Sequence, residues 1–143
     1  MIKPFFALLL LALGSSAWAA ASCYLVISTV AFGTYTAASP TPLDAVGGIN
    51  AVCTELHGSF QILTGPGLSG DENARTMVNG AERLSYQLYS NASRTTTWKS
   101  PHTHPIDSEP EKTIVHTLYG RIFANQDVAP GAYTDTISIT ITP

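Results

Sequence analysis

Two histidines in a polar, proline-rich segment have the spacing best suited to chemistry. His102 and His104 would place two imidazoles on one face of an extended chain. Asp107 or His116 could add a third ligand, and copper or zinc would suit such a set. The ligand set is short, however, and the polar surroundings favour solvated histidines. We therefore expect no metal and no other cofactor.

Two glycine-rich motifs resemble catalytic or nucleotide-binding signatures but are incomplete. Residues 65–70 match G-x-G-x-x-G, yet a dinucleotide site also needs a following helix and an acidic residue about twenty positions on. Residues 67–70 fall one residue short of G-x-S-x-G, and no strand-to-helix turn surrounds them. These patterns predict a loop, and we expect that the protein is not an enzyme.

The first residues have the organisation of an export signal. Lys3 precedes an apolar run at residues 5–13, which is too short to span a membrane, and small residues at 17–21 offer cleavage sites. We predict that residues 1–21 are a signal peptide and that residues 22–143 form one exported domain with no membrane span.

Export affects both the redox state of the cysteines and the net charge of the mature chain. Cys23 and Cys53 are the two cysteines of the chain, and an oxidising compartment favours a disulfide between them. Without Lys3, six basic side chains face ten acidic ones, a net charge of about −4. That balance argues against a nucleic-acid partner, which would require a basic surface.

Short apolar runs separated by turn residues predict an all-β fold. No helical period of any length is present. Asp135, in the last predicted strand, is expected to accept a hydrogen bond from a nearby N–H or threonine. The pattern is typical of a β-sandwich with Greek-key connections. Six main strands are predicted, near residues 23–33, 49–56, 60–63, 84–89, 113–123 and 133–142, with long loops at 64–80 and 90–112.

The last predicted strand has the clearest alternation in the chain. Ile137, Ile139 and Ile141 lie on one face, and Ser and Thr residues lie on the other. No return strand follows in the sequence. A terminal apolar strand without a second neighbour leaves an adhesive edge, so another protein could complete the sheet.

An ordered series of short motifs resembles the spore coat protein U domain. This family comprises subunits of archaic, Csu-type chaperone–usher pili and a related spore coat protein. Each motif is weak alone, but their order along nearly the whole chain is specific. The matching positions are Cys23, 31–35, 48–53, 75–77, 84–89, Trp98, 118–122, Gln126 and 131–137.

The resemblance implies an incomplete immunoglobulin-like sandwich that lacks its final strand. A periplasmic chaperone would fill the gap first, and an outer-membrane usher would then exchange it for the donor strand of a neighbouring fibre subunit. The expected acceptor groove has Tyr24 and Val26 of the first strand on one side and Ile137, Ile139 and Ile141 on the other.

The sequence also departs from the family pattern. Only two to four residues separate a plausible cleavage site from Cys23, too few for a donor strand, so we expect an acceptor at a filament end. Phe123, Asn125 and Pro143 replace the usual residues at their positions.

Two other functions remain open. One is a self-contained secreted sandwich that binds surface sugars or proteins through its long loops. The other is a periplasmic metal-binding protein or enzyme. Trp98, Tyr86 and Tyr89 are expected in the core rather than in a sugar-binding surface.

Overall fold

The computed structural model describes residues 22–54, 58–106 and 111–142, and within them the protein is all-β. The predicted signal peptide lies outside the described residues. The strands are β1 (Ser22–Ser28), β2 (Leu43–Thr54), β3 (Gly58–Thr64), β4 (Thr76–Asn79), β5 (Glu82–Tyr89), β6 (His102–Ile106), β7 (Glu111–Ile122) and β8 (Ile139–Thr142).

The strands form two antiparallel sheets. One sheet has the order β1-β2-β7-β5-β4, and the other has the order β6-β3-β8. Several strands adjacent in sequence, such as β2 and β3, lie in different sheets, as they do in Greek-key sandwiches. The predicted all-β, immunoglobulin-like sandwich is confirmed. In the described part of the chain, no helix is long and apolar enough to cross a bilayer.

The two longest strands, β2 and β7, form the centre of the larger sheet. They pair along their whole lengths, with Ile49 opposite His116 and Gly47 opposite Leu118. The alternation of each strand turns one set of side chains inward, and Ile49 and Ala51 of β2 are completely buried. This pair therefore supplies the rigid inner face on which the rest of the fold packs.

The core consists of two clusters of buried side chains. The larger contains Trp98, Ile49, Met77, Leu84, Tyr86, Leu88, Leu118 and Ile122. The smaller contains Ala51, Cys53, Phe60 and Ile62. Leu25 and Ile139 pack against both clusters, so they connect the first and last strands to the interior.

The predicted disulfide is confirmed. Cys23 lies directly opposite Cys53 in the β1–β2 register, and the Cα atoms are 4.1 Å apart. Because Cys53 is buried and faces the core, the disulfide fixes which face of β1 points inward. Cys23 and Leu25 share that face, and Tyr24 and Val26 lie on the opposite one.

The structure contains two short strands that the sequence pattern did not predict. β4 lies within the segment expected to be a loop at 64–80, and β6 lies within the one expected at 90–112. β4 has four residues, too few to display an alternation. β6 contains Pro105, which is tolerated because β6 is at the edge of its sheet.

The first and last strands are shorter than predicted. β1 ends at Ser28, so residues 29–33 leave the larger sheet. β8 begins at Ile139, and of the preceding residues Thr134 forms an isolated bridge with Val78. Residues 29–33 and the residues just before Ile139 border the same opening between the two sheets.

A charged cluster outside the core connects β2 to β7. Both carboxylate oxygens of Asp44 accept hydrogen bonds from Arg121, at 2.7 and 2.9 Å, and Arg94 Nη1 lies 3.3 Å from Asp44 Oδ2. The hydrogen bond from Arg121 and the two positive charges lower the pKa of Asp44 below its ordinary value.

Replacing Asp44 with asparagine should reduce stability modestly and in a pH-dependent way. The cluster is partly solvated, so the expected loss near neutral pH is at most about 1 kcal/mol. Because the pKa of Asp44 is lowered in the folded protein, its interactions stabilise the fold fully above the ordinary pKa of 3.8. This stabilisation is lost as the pH falls through the pKa that Asp44 has in the folded state. Urea unfolding of both proteins should differ at about pH 7 and converge at about pH 2.5. A constant difference would contradict the assignment.

Candidate functional site

An apolar groove runs between the chain that follows β1 and the chain that precedes β8. It contains two adjoining cavities of about 300 and 450 Å³. The first is bordered by residues 27–30 and 133–139, and the second by residues 30–37 and 128–133. The groove is thus as long as the two flanking segments, which we call the first wall (residues 27–37) and the second wall (residues 128–139).

Beyond the end of β1, most of the first wall leaves its backbone unpaired. Among the described residues, no backbone–backbone hydrogen bond involves residues 29–35. Buried backbone N–H and C=O groups are almost always paired, so this edge must bond to water or to an added strand. Ile27, which begins the wall, lines the groove and is 53% exposed although it lies on the inward face of β1.

Side-chain packing holds the first wall in place. Val30 and Phe32 pack against the larger core cluster. They approach two glycines of the central strands closely: a Cβ on Gly47 would lie 2.7 Å from Val30 Cγ2, and one on Gly120 would lie 2.6 Å from Phe32 Cζ. The absence of side chains at these two positions is what allows the wall to cross the inner face of the larger sheet.

The second wall is bonded on one side only. Thr134 exchanges backbone hydrogen bonds with Val78 of β4, and the N–H of Gly65 donates to the carbonyl of Ser138 at 2.8 Å. β8 then continues the wall and pairs with β3, and no other strand of the described chain lies beside it. The side facing the groove is therefore a free sheet edge.

The groove floor is mostly apolar, with one polar cluster. Leu88, Trp98 and Leu118 line the first cavity. Beside them, the Tyr86 hydroxyl donates a 2.6 Å hydrogen bond to Asp135 Oδ2. Arg75 also borders this cavity, and its side chain is completely buried.

Burial and the hydrogen bond to Asp135 together keep Tyr86 protonated. Burial is the largest cause and raises the pKa of Tyr86 far above its ordinary value. The hydrogen bond to Asp135 raises this pKa further, whereas Arg75 lowers it. Tyr86 is therefore a permanent donor at neutral pH. Asp135 also accepts from the Leu68 N–H at 2.7 Å, which is the type of contact that the sequence led us to expect.

The structure places the predicted groove residues differently on the two sides. Ile137 and Ile139 line the groove, and Ile141 packs further along, against the smaller core cluster. Tyr24 and Val26 point outward and are 59% and 52% exposed. The disulfide puts Cys23, Leu25 and Ile27 on the inward face of β1 instead. Ile27 lines the groove, and Cys23 and Leu25 pack against the smaller core cluster.

Several groove residues were not identified from the sequence. Val30 and Phe32 alternate as strand residues do, and this spacing predicts that the first strand continues through them. Val30 and Phe32 contact Gly47 and Gly120 because the first wall crosses the inner face of the larger sheet. No local sequence pattern predicts that crossing. Arg75 follows a glycine-rich loop, where a charged side chain would ordinarily be solvated.

Of the candidate metal ligands, the structure describes the side chains of His102 and His116, and both rings contact Trp98. The His102 ring stacks on Trp98 with centroids 3.7 Å apart, and the rings of His102 and His116 lie 5.5 Å apart. The side chain of His104 and all of Asp107 lie outside what the structure describes. Among the described residues, no group of three or more His, Cys, Asp or Glu side chains could hold a metal ion.

The expected core aromatics and the glycine-rich loop have ordinary structural roles. Trp98 and Tyr86 are buried, and Tyr89 is half-buried. Gly67 and Gly70 adopt the left-handed backbone conformation, with φ values of 77° and 76°, and form a turn that no helix follows in the described chain. This turn delivers the Leu68 N–H to Asp135.

One solved structure with a similar fold is the CsuC–CsuE chaperone–tip adhesion subunit pre-assembly complex from archaic chaperone–usher Csu pili of Acinetobacter baumannii, at 23% identity and a TM-score of 0.57. The match covers 85% of this chain and 39% of that one, so this chain spans about two fifths of its length. This likeness establishes a common fold.

A second similarity is weaker, and curated proteins offer none. The E. coli Hda pilus minor tip subunit, HdaB, is 19% identical over 82% of this chain and 79% of that one, with a TM-score of 0.39. No curated protein matches the chain. A family model named Spore Coat Protein U domain matches residues 9–140. The chain thus belongs to the Spore Coat Protein U domain family.

Proposed function

We propose that this protein is a strand-accepting subunit of a chaperone–usher surface fibre. The observation that carries the proposal is the apolar groove between two walls whose facing edges are unpaired. A β-strand inserted there would bond to both walls and bury its apolar side chains on the floor. The family and the fold shared with the Csu complex add support.

The groove chemistry defines the occupant. An extended strand presents every second side chain to one face, so alternate apolar residues would contact the floor around Leu88, Trp98 and Ile139. Backbone groups of the same strand would pair with residues 29–35, which make no backbone–backbone hydrogen bonds within the described chain. Main-chain bonds would provide much of the affinity, and the apolar side chains would set the register.

This function implies an ordered series of partners. The exported chain would meet a periplasmic chaperone, whose strand would fill the groove during transit. An outer-membrane usher would then exchange it for the donor strand of a neighbouring fibre subunit, and the assembled protein would lie on the cell surface. The position at a filament end, predicted from the short segment before Cys23, stays a prediction.

A donor peptide should stabilise the purified subunit strongly. We expect a peptide of about ten residues with alternating apolar side chains, ~33 Å long when extended, to fill the groove. At a hundredfold excess over its Kd it would add about 2.7 kcal/mol, which raises the melting temperature on the order of 10 °C. Differential scanning fluorimetry with increasing peptide measures this shift.

The control is a peptide of the same composition in which the apolar residues are adjacent rather than alternating. It should leave the melting temperature unchanged, because it cannot place all its apolar side chains on one face. A subunit that melts at the same temperature with either peptide, and folds as a stable monomer without a chaperone, would instead support the self-contained sugar- or protein-binding module.

A further inference from the structure

The two walls of the groove are bonded to each other at one end. The Tyr35 hydroxyl, on the first wall, accepts a hydrogen bond from the Gln126 N–H at 3.1 Å, and Gln126 lies two residues before the second wall begins. Just beyond the first wall, the Ala38 N–H donates to the Gln126 carbonyl at 2.8 Å. The Asn125 N–H donates to the Ser39 carbonyl at 2.7 Å. We call these five residues the closure.

The closure is anchored to the larger sheet. The side-chain amide of Gln126 accepts from the Ser85 N–H of β5 at 2.7 Å and donates to the Ser85 carbonyl at 2.8 Å. These are the two bonds that the backbone of a neighbouring strand would make. Ala38 and Asn125 adopt the left-handed backbone conformation, with φ values of 55° and 60°, which is uncommon outside glycine. Such a backbone persists only where surrounding contacts hold it, so the closure is a fixed part of the fold.

The opposite end of the groove has no such connection. There β1 and β8 flank the gap between the sheets, and they belong to different sheets and do not pair with each other in the described chain. Leu25 and Ile139 are only half-buried, and Ile27 is exposed, although all three face inward. The groove is therefore open at the β1–β8 end and blind at the closure.

The closure leaves no room for another strand. Neighbouring strands lie about 4.8 Å apart, so a strand inserted between the walls requires them to be ~9.6 Å apart. Where Ala38 bonds directly to Gln126, the two backbones are separated by about half that distance. A strand that fills the groove must therefore end, or turn out of the groove, before it reaches Tyr35 and Gln126.

We propose that the closure is an end stop that fixes the register of the donor strand. Alternating apolar side chains exclude a slip of one residue, which would turn all of them outward, but a slip of two residues keeps the same face inward. The closure blocks a slip in one direction. A slip in the other direction would leave the cavity beside Tyr35 unfilled, which is unfavourable. This inference rests on the proposed function and specifies where the strand of the partner stops.

Paramagnetic labels on donor peptides test the inference. An alternating apolar peptide of about ten residues carries a nitroxide at its N-terminus in one sample and at its C-terminus in another. In ¹⁵N spectra of the intact subunit, one label should remove most of the amide signal of residues 36–39 and 123–126. The other label should act on amides of β1 and β8. The unlabelled peptide is the control for changes that binding alone produces.

Lengthening the peptide distinguishes a stop from a preferred position. About four further alternating residues, ~13 Å, are added at either terminus, with the label at the terminus that lies beside the closure. Both longer peptides should keep the label beside residues 36–39 and 123–126, because the added length fits only toward β1 and β8. A label that moves past the closure, or acts on amides along the whole groove, would overturn the inference.

The Gln126→Ala variant removes the anchor of the closure on β5. We expect the label on the longer peptides to affect a wider set of amides in this variant, because the walls are no longer held together as firmly. Gln61→Ala is the matched control, since Gln61 is an exposed residue of β3 that lines neither cavity, and it should behave as wild type. The measurements on the unaltered subunit do not depend on how either variant folds.

The outcomes separate the inference from the proposed function. If peptides bind but their labels report several registers in the unaltered subunit, the end stop is wrong while strand acceptance stands. If no alternating peptide binds, strand acceptance fails, and the inference fails with it. A single register that persists unchanged in a folded Gln126→Ala variant would overturn the role of the Gln126 anchor.

Discussion

Reducing the disulfide should destabilise the domain by about 3.5 kcal/mol, because the bridge closes a loop of 30 residues in the unfolded chain. A loss of this size is a large share of the stability of a domain of this length. The loss should concentrate at β1, since the larger sheet bonds β1 to β2 alone. Cys23 sits near the start of that strand and ties it to the buried Cys53.

The measurement compares the same polypeptide with and without reductant. Guanidinium unfolding compares the oxidised and reduced wild-type chains, which have identical residues. The difference in unfolding free energy therefore contains no contribution from side-chain packing changed by a substitution. The Cys23→Ala/Cys53→Ala double variant should follow the reduced chain. Equal midpoints for the oxidised and reduced proteins would show that the crosslink contributes little.

Loss of the disulfide should also weaken the groove. β1 leads directly into the first wall, so fraying of β1 frees the start of that wall. Hydrogen exchange of the amides of β1 should accelerate more in the reduced chain than exchange in β7. Donor peptides should bind the reduced chain more weakly. A reduced chain that binds them as tightly as the oxidised one would show that the wall is held without β1.

The central strands could be predicted in part, because β-branched and apolar residues are concentrated in them. A strand was predicted at residues 113–123, and β7 is Glu111–Ile122. The other central strand was predicted from residue 49, whereas β2 begins at Leu43, because the glycines at 47 and 48 indicated a break in the strand. The disulfide followed from export and from the presence of two cysteines. These features depend on local pattern or on elementary chemistry, which the chain displays directly.

The face of β1 could not be chosen from apolar periodicity. Tyr24, Leu25, Val26 and Ile27 are all apolar or aromatic, so the strand has no polar side that would identify the solvent face. The disulfide shows which face of β1 points inward. Cys23 is bonded to the buried Cys53 and must face inward, and so must Leu25, two residues further along the strand. The sequence contained this signal once the two cysteines were paired.

Other parts of the groove depend on long-range geometry. Val30 and Phe32 have a strand-like spacing, which indicates an extended chain but not which sheet it joins. Arg75 is buried because the residues around it fold over it, and its hydrogen bond to Gly65 belongs to a loop that its own sequence does not specify. Such contacts depend on distant segments that are brought together only by the fold.

The second large effect is expected at Gly47, where alanine should displace the first wall. The residue is buried on the inward face of β2. A Cβ there would lie 2.7 Å from the Ser28 carbonyl oxygen and 2.8 Å from the Val30 nitrogen. These are backbone atoms, so the overlap cannot be relieved by rotating a side chain. Overpacking of this kind costs about 1–3 kcal/mol.

Gly48→Ala is the matched control, since the two glycines are neighbours in the same strand. A Cβ at Gly48 would lie 3.2 Å from the His116 carbonyl oxygen and 3.3 Å from Ser28 Oγ, contacts that a small shift can relieve. Neither glycine has the left-handed backbone that would strain an alanine, so the pair isolates the steric effect. Gly48→Ala should therefore unfold close to wild type.

The two variants should differ most in binding, because Gly47→Ala alters the edge that a donor strand would join. Val30 would be pushed from the inner face of the sheet, and the spacing between the walls would change along the groove. We expect Gly47→Ala to lose most of the thermal shift that an alternating apolar peptide gives wild type, and Gly48→Ala to retain it. If both variants keep the full shift, the position of the first wall does not control strand acceptance.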